Sequence, residues 1–453
     1  MNGRSPEEEN KVIGFLLSQD AKVLDELYES PSSALAVYRL LPTLAQQWIA
    51  RVAFLPKPLP ISTLESWVNA KSTDLCQNAT SLLSRLRLAH VQQKEFSLSP
   101  NFKQSIMSAL TEGEFAVSAF VQWTGPTDKS RKSTQELEKK ALERWECLLQ
   151  YLALPSDQTQ GMVSVEMRQI LAAAGLTGEG TSDLEITSRG FQFLLMDRTT
   201  QIWTYVLQYL LFQSRMGKNV VELLALIFRL SFCVAGVAYK LENSWSSAVQ
   251  DFVQHLRELG LVFMRKRKDG YFFATPLIAH LTSPEAAETK ESGSAQGFII
   301  VETNYRVYAY TDSTLQLAIL STFCEMIYRF ANMSVGVLTR ESVRRALHVG
   351  ITADQIVGFL RSHVHPQSLG EAQLIPITVA DQIRLWELER DRLRFHPAVL
   401  YSTFESEQDY SGLTNFSTKE GILLWNQDSS KLVVVTELGH NQVKQWWKMA
   451  KKN

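Results

Sequence analysis

Apolar residues recur at helical spacing through most of the first two-thirds of the chain. Leu137, Ala141, Leu142, Trp145, Leu148, Leu149 and Leu152 fall on one stripe. Ile202, Val206, Leu207, Leu210 and Leu211 fall on another, in a segment too apolar to face water on every side. Such helices are expected to pack neighbouring units into one continuous arm. The most apolar stretch, Val220 to Tyr239, is interrupted by Glu222 and Arg229. That leaves no run of roughly 18 uncharged apolar residues to cross a bilayer, so the stretch predicts a buried helix and no membrane span.

Three segments repeat one order of features: LSRLRLAHVQQKEFSLSPNFKQSIMSAL from Leu83, MRQILAAAGLTGEGTSDLEITSRGFQFLL from Met167, and VQHLRELGLVFMRKRKDGYFFATPLIAHL from Val253. With Leu88, Leu176 and Leu261 taken as equivalent, the offsets are 88 and 85 residues (176 − 88 and 261 − 176). Each copy reads as helix, short strand, turn and strand, the plan of a winged-helix unit. In the third, Trp245, Val249, Phe252, Val253, Leu256 and Leu259 keep helical spacing and Gly260 stops the helix. Asp269-Gly270 then predicts a two-residue hairpin between LVFMRKRK and YFFAT. The first two copies carry no tight-turn dipeptide at that place. Two polar stretches, Thr124 to Lys140 and Thr282 to Gln296, read as linkers or loops, and the second as the main domain boundary.

Beyond that boundary the pattern changes. Gly297 to Tyr310 predicts two strands around a Thr303-Asn304 turn, followed by an apolar helix capped by Asp312 or Ser313 and running to about Phe330. A strand (MSVGVLT), a helix from Thr339 and a second helix opened by a Thr352-x-x-Gln355 capping box follow, and Pro366 closes the segment. In DQIRLWELERDRLRF, the apolar Ile383, Trp386, Leu388 and Leu393 sit among eight charges, which reads as a surface helix with a narrow seam. The last sixty or so residues predict a β-α-β-β-α unit: strands near Ala398 to Thr403, Ile422 to Trp425 and Lys431 to Thr436, with helices near Glu405 to Phe416 and from Gly439. A core that small leaves a strand edge or face in want of a partner. The expected fold is thus mostly α with small β elements (α+β). It divides into winged-helix-like units at 1–123, 137–198 and 199–281, a hairpin and helix module at 297–383, and a small module at 395–453.

Composition narrows the function. The chain of 453 residues is 45% hydrophobic and carries 46 Lys and Arg against 47 Asp and Glu, a net charge of -1. A chain acting on nucleic acid by overall charge is excluded, and any such contact must be local. Cys76, Cys147, Cys233 and Cys324 are too far apart for a zinc module and read as apolar thiols in a reducing compartment. Met1 to Asn10 is polar and acidic, unlike a secretory leader, so a nuclear or cytosolic chain is expected and the sequons at Asn78, Asn332 and Asn415 carry no glycan.

No phosphate-cradling loop, dinucleotide fingerprint, HExxH, GxSxG or calcium loop occurs in the sequence. Gly175 to Gly180 has the wrong spacing and no lysine for a phosphate loop. His363 and His365 lie at a helix end with no acidic or cysteine ligand at metal spacing, and Glu387 and Asp391 alternate with arginines as solvated ion pairs would. No catalytic residue, metal or cofactor is expected. One charge feature stands out: Arg265, Lys266, Arg267 and Lys268 are consecutive beside Tyr271 and Phe272. A weak, salt-sensitive phosphate contact competes there with a solvated edge strand, an import signal or an acidic partner surface.

Several long strings are distinctive: VETNYRVYAYTDSTLQLAILSTFCEMIYRF, TRESV, TVADQIRLWELERDRLRF, LAVYRLLPTLAQQWI, SRGFQFLLMD and GLVFMRKRK. They resemble the Tfb2 family, the fifty-two-kilodalton subunit (subunit 4) of the transcription and repair factor TFIIH. The polar stretches Thr124 to Lys140 and Thr282 to Gln296 fall outside the resemblance. It implies a nuclear, non-catalytic core subunit acting in RNA polymerase II initiation and nucleotide excision repair. Its N-terminal arm would contact other core subunits. Its middle module would anchor the XPB helicase/translocase and support its ATPase, and its C-terminal module would pair with the smallest core subunit. On that basis Glu302, Tyr305, Arg306, Tyr308 and Tyr310 are expected at the helicase-facing surface, with a core role competing for at least one tyrosine. Leu432, Val433, Val434, Val435 and Trp446 are expected in or beside the small-subunit interface, with burial in their own sheet competing. A winged-helix DNA-binding regulator is the alternative reading.

Overall fold

The computed structural model describes residues 10–69, 73–113, 120–125, 133–154, 161–178, 186–242, 244–279, 281–282, 297–370, 373–392 and 397–450. The polar stretches at 124–140 and 282–296 lie partly outside these residues, as does the end of the 175–180 glycine segment. The chain is mostly helical with small antiparallel sheets, and it forms two compact units, Met1–Glu387 and Leu388–Asn453. Among the described residues no helix is long and apolar enough to cross a membrane.

In the first unit one contiguous apolar core runs from Val12 to Ile383. Helix Thr134–Ala153 contributes Trp145, Leu148 and Leu152, and helix Arg198–Arg215 contributes Ile202, Val206 and Leu210, the stripes expected from the sequence. The apolar stretch from Val220 is helical only over Val220–Leu230, and Tyr239 at its far end belongs to a strand. Continuous apolarity marks burial on all sides and does not separate a helix from a buried strand.

Two small three-stranded sheets belong to this unit. Leu59–Pro60 (β1), Ala89–Gln92 (β2) and Glu95–Leu98 (β3) pair in the order β1-β3-β2, next to helix Thr73–Arg85. Gln93 and Lys94 both take positive φ (50° and 67°), so β2 and β3 are joined by a two-residue turn that the sequence did not announce. The strand pairs Ala89↔Leu98 and Val91↔Phe96, with Phe96 fully buried, hold a turn made without glycine or asparagine. Ala238–Lys240 (β4), Val262–Phe263 (β5) and Tyr271–Ala274 (β6) pair in the equivalent order, β4-β6-β5, beside helix Ser247–Glu258.

Here the expected two-residue hairpin at Asp269-Gly270 is corrected. β5 ends at Phe263, and the chain returns through a short 3-10 turn, Arg267–Asp269, before Gly270 at φ 78°. Arg265 donates to Asp269 across this loop at 3.0 Å, which draws the basic residues out of any extended strand. In the segment from Met167, a bridge Thr177↔Ile186 pairs the described residues between helices Val165–Ala173 and Ser188–Leu194.

The middle of the chain forms a four-stranded antiparallel sheet. Ile299–Val301 (β7), Arg306–Ala309 (β8), Glu325–Arg329 (β9) and Ser334–Val337 (β10) stand in the order β7-β8-β10-β9. Ser313 caps the following helix as expected, but that helix ends at Ser321, and residues expected to continue it form the edge strand β9. The capping boxes of helices Arg340–His348 and Ala353–Ser362 both form, at Thr339/Ser342 and Thr352/Gln355.

The second unit has the β-α-β-β-α order read from the sequence. Ala398–Tyr401 (β11), helix Glu407–Lys419, Leu423–Gln427 (β12), Leu432–Thr436 (β13) and helix Gly439–Ala450 enclose a core of Tyr410, Leu413, Ile422, Val433, Val435 and Val443.

Candidate partner-binding faces

The middle sheet has two unlike faces. Ile299, Val301, Val307 and Ala309 point into the core. On the other face, residues directly opposite in register lie side by side. Ile300, Tyr308, Val335 and Tyr328 make one row across all four strands, and Arg306, Val337 and Glu325 make the next. Tyr328 is 59% exposed with its ring 6.5 Å from that of Phe330, whereas Val335, between Tyr308 and Tyr328, is buried. Its flanking tyrosines shield it. The outer face therefore combines aromatic bodies, an arginine and a carboxylate, the residue types that anchor protein interfaces.

Of the residues singled out on this module, Arg306, Tyr308 and Tyr310 share that face by strand alternation, and Tyr310 is exposed with its ring 5.2 Å from His365. Glu302 is exposed in the turn, where it accepts from the Asn304 amide at 3.0 Å, while Asn304 accepts from the Arg306 backbone. Tyr305 is turned elsewhere. It sits at φ 67° and packs against the core, its ring 6.1 Å from Trp386. Tyr328 and Glu325 were missed because their segment reads as helix. The alternation Met326, Tyr328, Phe330 was the signal available.

In the second unit the sheet order is β11-β13-β12. β13, the strand KLVVVT suggested for pairing across a subunit boundary, is central, with both edges filled by its own sheet. Val433 and Val435 are fully buried. Leu432 and Val434 face the other way, and Leu400 and Trp425, both register partners of Val434, stand beside it about half exposed. Trp446 belongs to the helix side, stacked on Phe416 with centroids 5.4 Å apart. The five residues are thus divided between core and outer face, and the free strand edges are those of β11 and β12.

The basic loop is partly satisfied within the chain. Arg265 is held by Asp269 and Arg267 donates to Gln250, while Lys266 is exposed. The side chain of Lys268 lies outside the described residues. His363 donates through Nδ1 to the Phe359 carbonyl at 2.9 Å, a helix-end contact. Among the described residues no three His, Cys, Asp or Glu side chains gather as metal ligands. Burial pushes the thiols of Cys233 and Cys324 up to about 12, so both are inert packing groups.

The sequence model described as "Transcription factor Tfb2" matches residues 14–366, and that described as "Transcription factor Tfb2 (p52) C-terminal domain" matches residues 381–448. The chain belongs to the Tfb2 family. Its relatives include the "General transcription and DNA repair factor IIH subunit TFB2" of Yarrowia lipolytica, 34% identical with 96% of this chain and 95% of the relative covered. The Saccharomyces cerevisiae protein of the same description is 32% identical, with 96% of both chains covered. "General transcription factor IIH subunit 4" of Dictyostelium discoideum is 32% identical over 97% of this chain and 99% of its own. The two Tfb2 matches divide close to the two compact units, with the middle sheet inside the first and the β11-β13-β12 sheet inside the second.

Proposed function

We propose that this chain is a nuclear, non-catalytic core subunit of TFIIH that anchors the XPB helicase/translocase and stimulates its ATPase in transcription initiation and nucleotide excision repair. The names of its relatives supply the assembly. The observation that carries the rest is the outer face of the middle sheet, where Arg306, Tyr308, Val335 and Tyr328 form a surface suited to a protein partner. Aromatic groups and an arginine around a shielded aliphatic centre match the composition of binding hot spots. The second unit pairs with the smallest core subunit through its outer face and free edges, where Leu400, Trp425, Leu432 and Val434 offer apolar area. The β1-β3-β2 and β4-β6-β5 sheets share one strand order, and the helical part of the chain they belong to contacts other core subunits.

A DNA-binding regulator is less favoured, because Arg265 and Arg267 are already engaged by Asp269 and Gln250. Adding the purified full-length chain to purified XPB tests the proposal: ATP turnover rises and the two co-purify. An unchanged rate with no co-purification rejects it.

A further inference from the structure

Beyond the two faces above, the first unit holds a recess of about 570 Å³ between helix Thr134–Ala153, helix Ser247–Glu258 and the end of β5. Its walls are apolar at the bottom: Leu137, Ala141, Val262 and Met264 are all buried residues whose atoms line it. Phe263 completes that wall, with the Lys140 ammonium 5.4 Å from its ring centroid. The rim is charged. Lys140, Arg144, Arg257 and Arg265 stand around it with Glu143 and Glu258. Arg265 is paired with Asp269, and Arg257 is hydrogen-bonded to the neutral Gln254 side chain at 3.3 Å. Among the described residues Lys140, Arg144 and Arg257 have no ion-pair partner.

We propose that this recess receives an acidic peptide segment of a partner protein, with one large apolar side chain seated on the Leu137, Val262 and Met264 wall and flanking carboxylates on Lys140, Arg144 and Arg257. The volume exceeds that of any one side chain, so an anchor residue and adjoining backbone fill it together. Desolvating an apolar anchor there supplies affinity, and unpaired rim cations supply orientation and rate of encounter. A nucleic-acid backbone suits the site less well, because phosphates bring no apolar group to fill the recess over Leu137, Val262 and Met264.

The test uses the full-length chain and a fluorescein-labelled peptide of sequence Asp-Glu-Phe-Asp-Asp-Leu, followed by anisotropy. Saturable binding is expected, weakened about tenfold or more by combined Arg144→Glu and Arg257→Glu, because like charges then face the peptide. A peptide with Gly in place of Phe and Leu should lose a similar factor, and a short DNA duplex should not compete. Hydrogen-exchange protection of Leu137–Arg144 and Val262–Met264 in the unaltered chain provides a readout independent of how the variant folds. Lack of saturable binding, equal binding of the glycine peptide, indifference to the charge reversals, absence of protection at both segments, or displacement by DNA each overturns the proposal, the last in favour of nucleic acid.

Discussion

Tyr308 and Tyr328 flank Val335 on the outer face of the middle sheet, each directly opposite it in register although they come from strands twenty positions apart. The pair encloses an aliphatic centre between two aromatic bodies, and the neighbouring row repeats the arrangement with Arg306 and Glu325 around Val337. Because these side chains stand outside the core, their replacement is expected to change binding far more than folding.

Gly260 gives a stability prediction. Its φ is 80°, and a Cβ placed there would lie 2.6 Å from the Ala141 carbonyl, so helix Ser247–Glu258 ends against the backbone of helix Thr134–Ala153 only with glycine. Gly260→Ala should cost about 1–3 kcal/mol from the left-handed backbone and the clash together. A thermal unfolding scan should show a midpoint lowered by a few degrees.

Glu166 gives a pH prediction. Its carboxyl lies 3.7 Å from the Nδ1 of the buried His255, whose Nε2 is 3.0 Å from the Tyr205 hydroxyl. The nearby imidazole, opposed by partial burial, holds the Glu166 carboxyl below its ordinary value. A carboxyl that titrates lower when folded stabilises the chain above its unfolded value of about 4.3 and loses that contribution as pH falls through the lower, folded value. Glu166 is 45% exposed, so the effect is modest and screened by solvent. Urea midpoints measured from pH 6 downward should fall more steeply for the unaltered chain than for Glu166→Gln below about pH 4.3.

The second unit separates core from interface. Val433→Ala removes two methyl groups from a fully buried position in a core of few residues and should destabilise that unit by about 1–3 kcal/mol. Leu400→Ser and Trp425→Ser, both on the outer face, should leave its unfolding nearly unchanged and weaken binding of the smallest core subunit. Denaturant titration and a binding isotherm distinguish the two classes.

Much of this was legible in the sequence where local chemistry decides the outcome. The capping residues Thr339 and Thr352, the stripe through Trp145 and Leu152, and the β-α-β-β-α order of the last unit all follow from spacing and side-chain type. What escaped depends on tertiary context. The apolar run from Leu315 to Phe330 fits helix and strand alike, and only pairing with β10 makes Glu325–Arg329 a strand. Gln93-Lys94 forms a tight turn because the strands it joins are fixed by burial of Phe96. Arg265 to Lys268 looked like a strand wing, but an ion pair with Asp269 and a short 3-10 turn reshape it. Sheet order has no local signature, so the central place of Leu432–Thr436 could not be read ahead.

Anchoring of XPB by the outer face of the middle sheet is tested by a single affinity measurement. Full-length chain carrying Tyr308→Ala and Tyr328→Ala is titrated against purified XPB beside the unaltered chain, with thermal unfolding recorded for both. The variant should unfold at a midpoint close to that of the unaltered chain and bind XPB about thirtyfold or more weakly, as when two anchoring tyrosines are lost. Equal affinity of the two chains for XPB would contradict it.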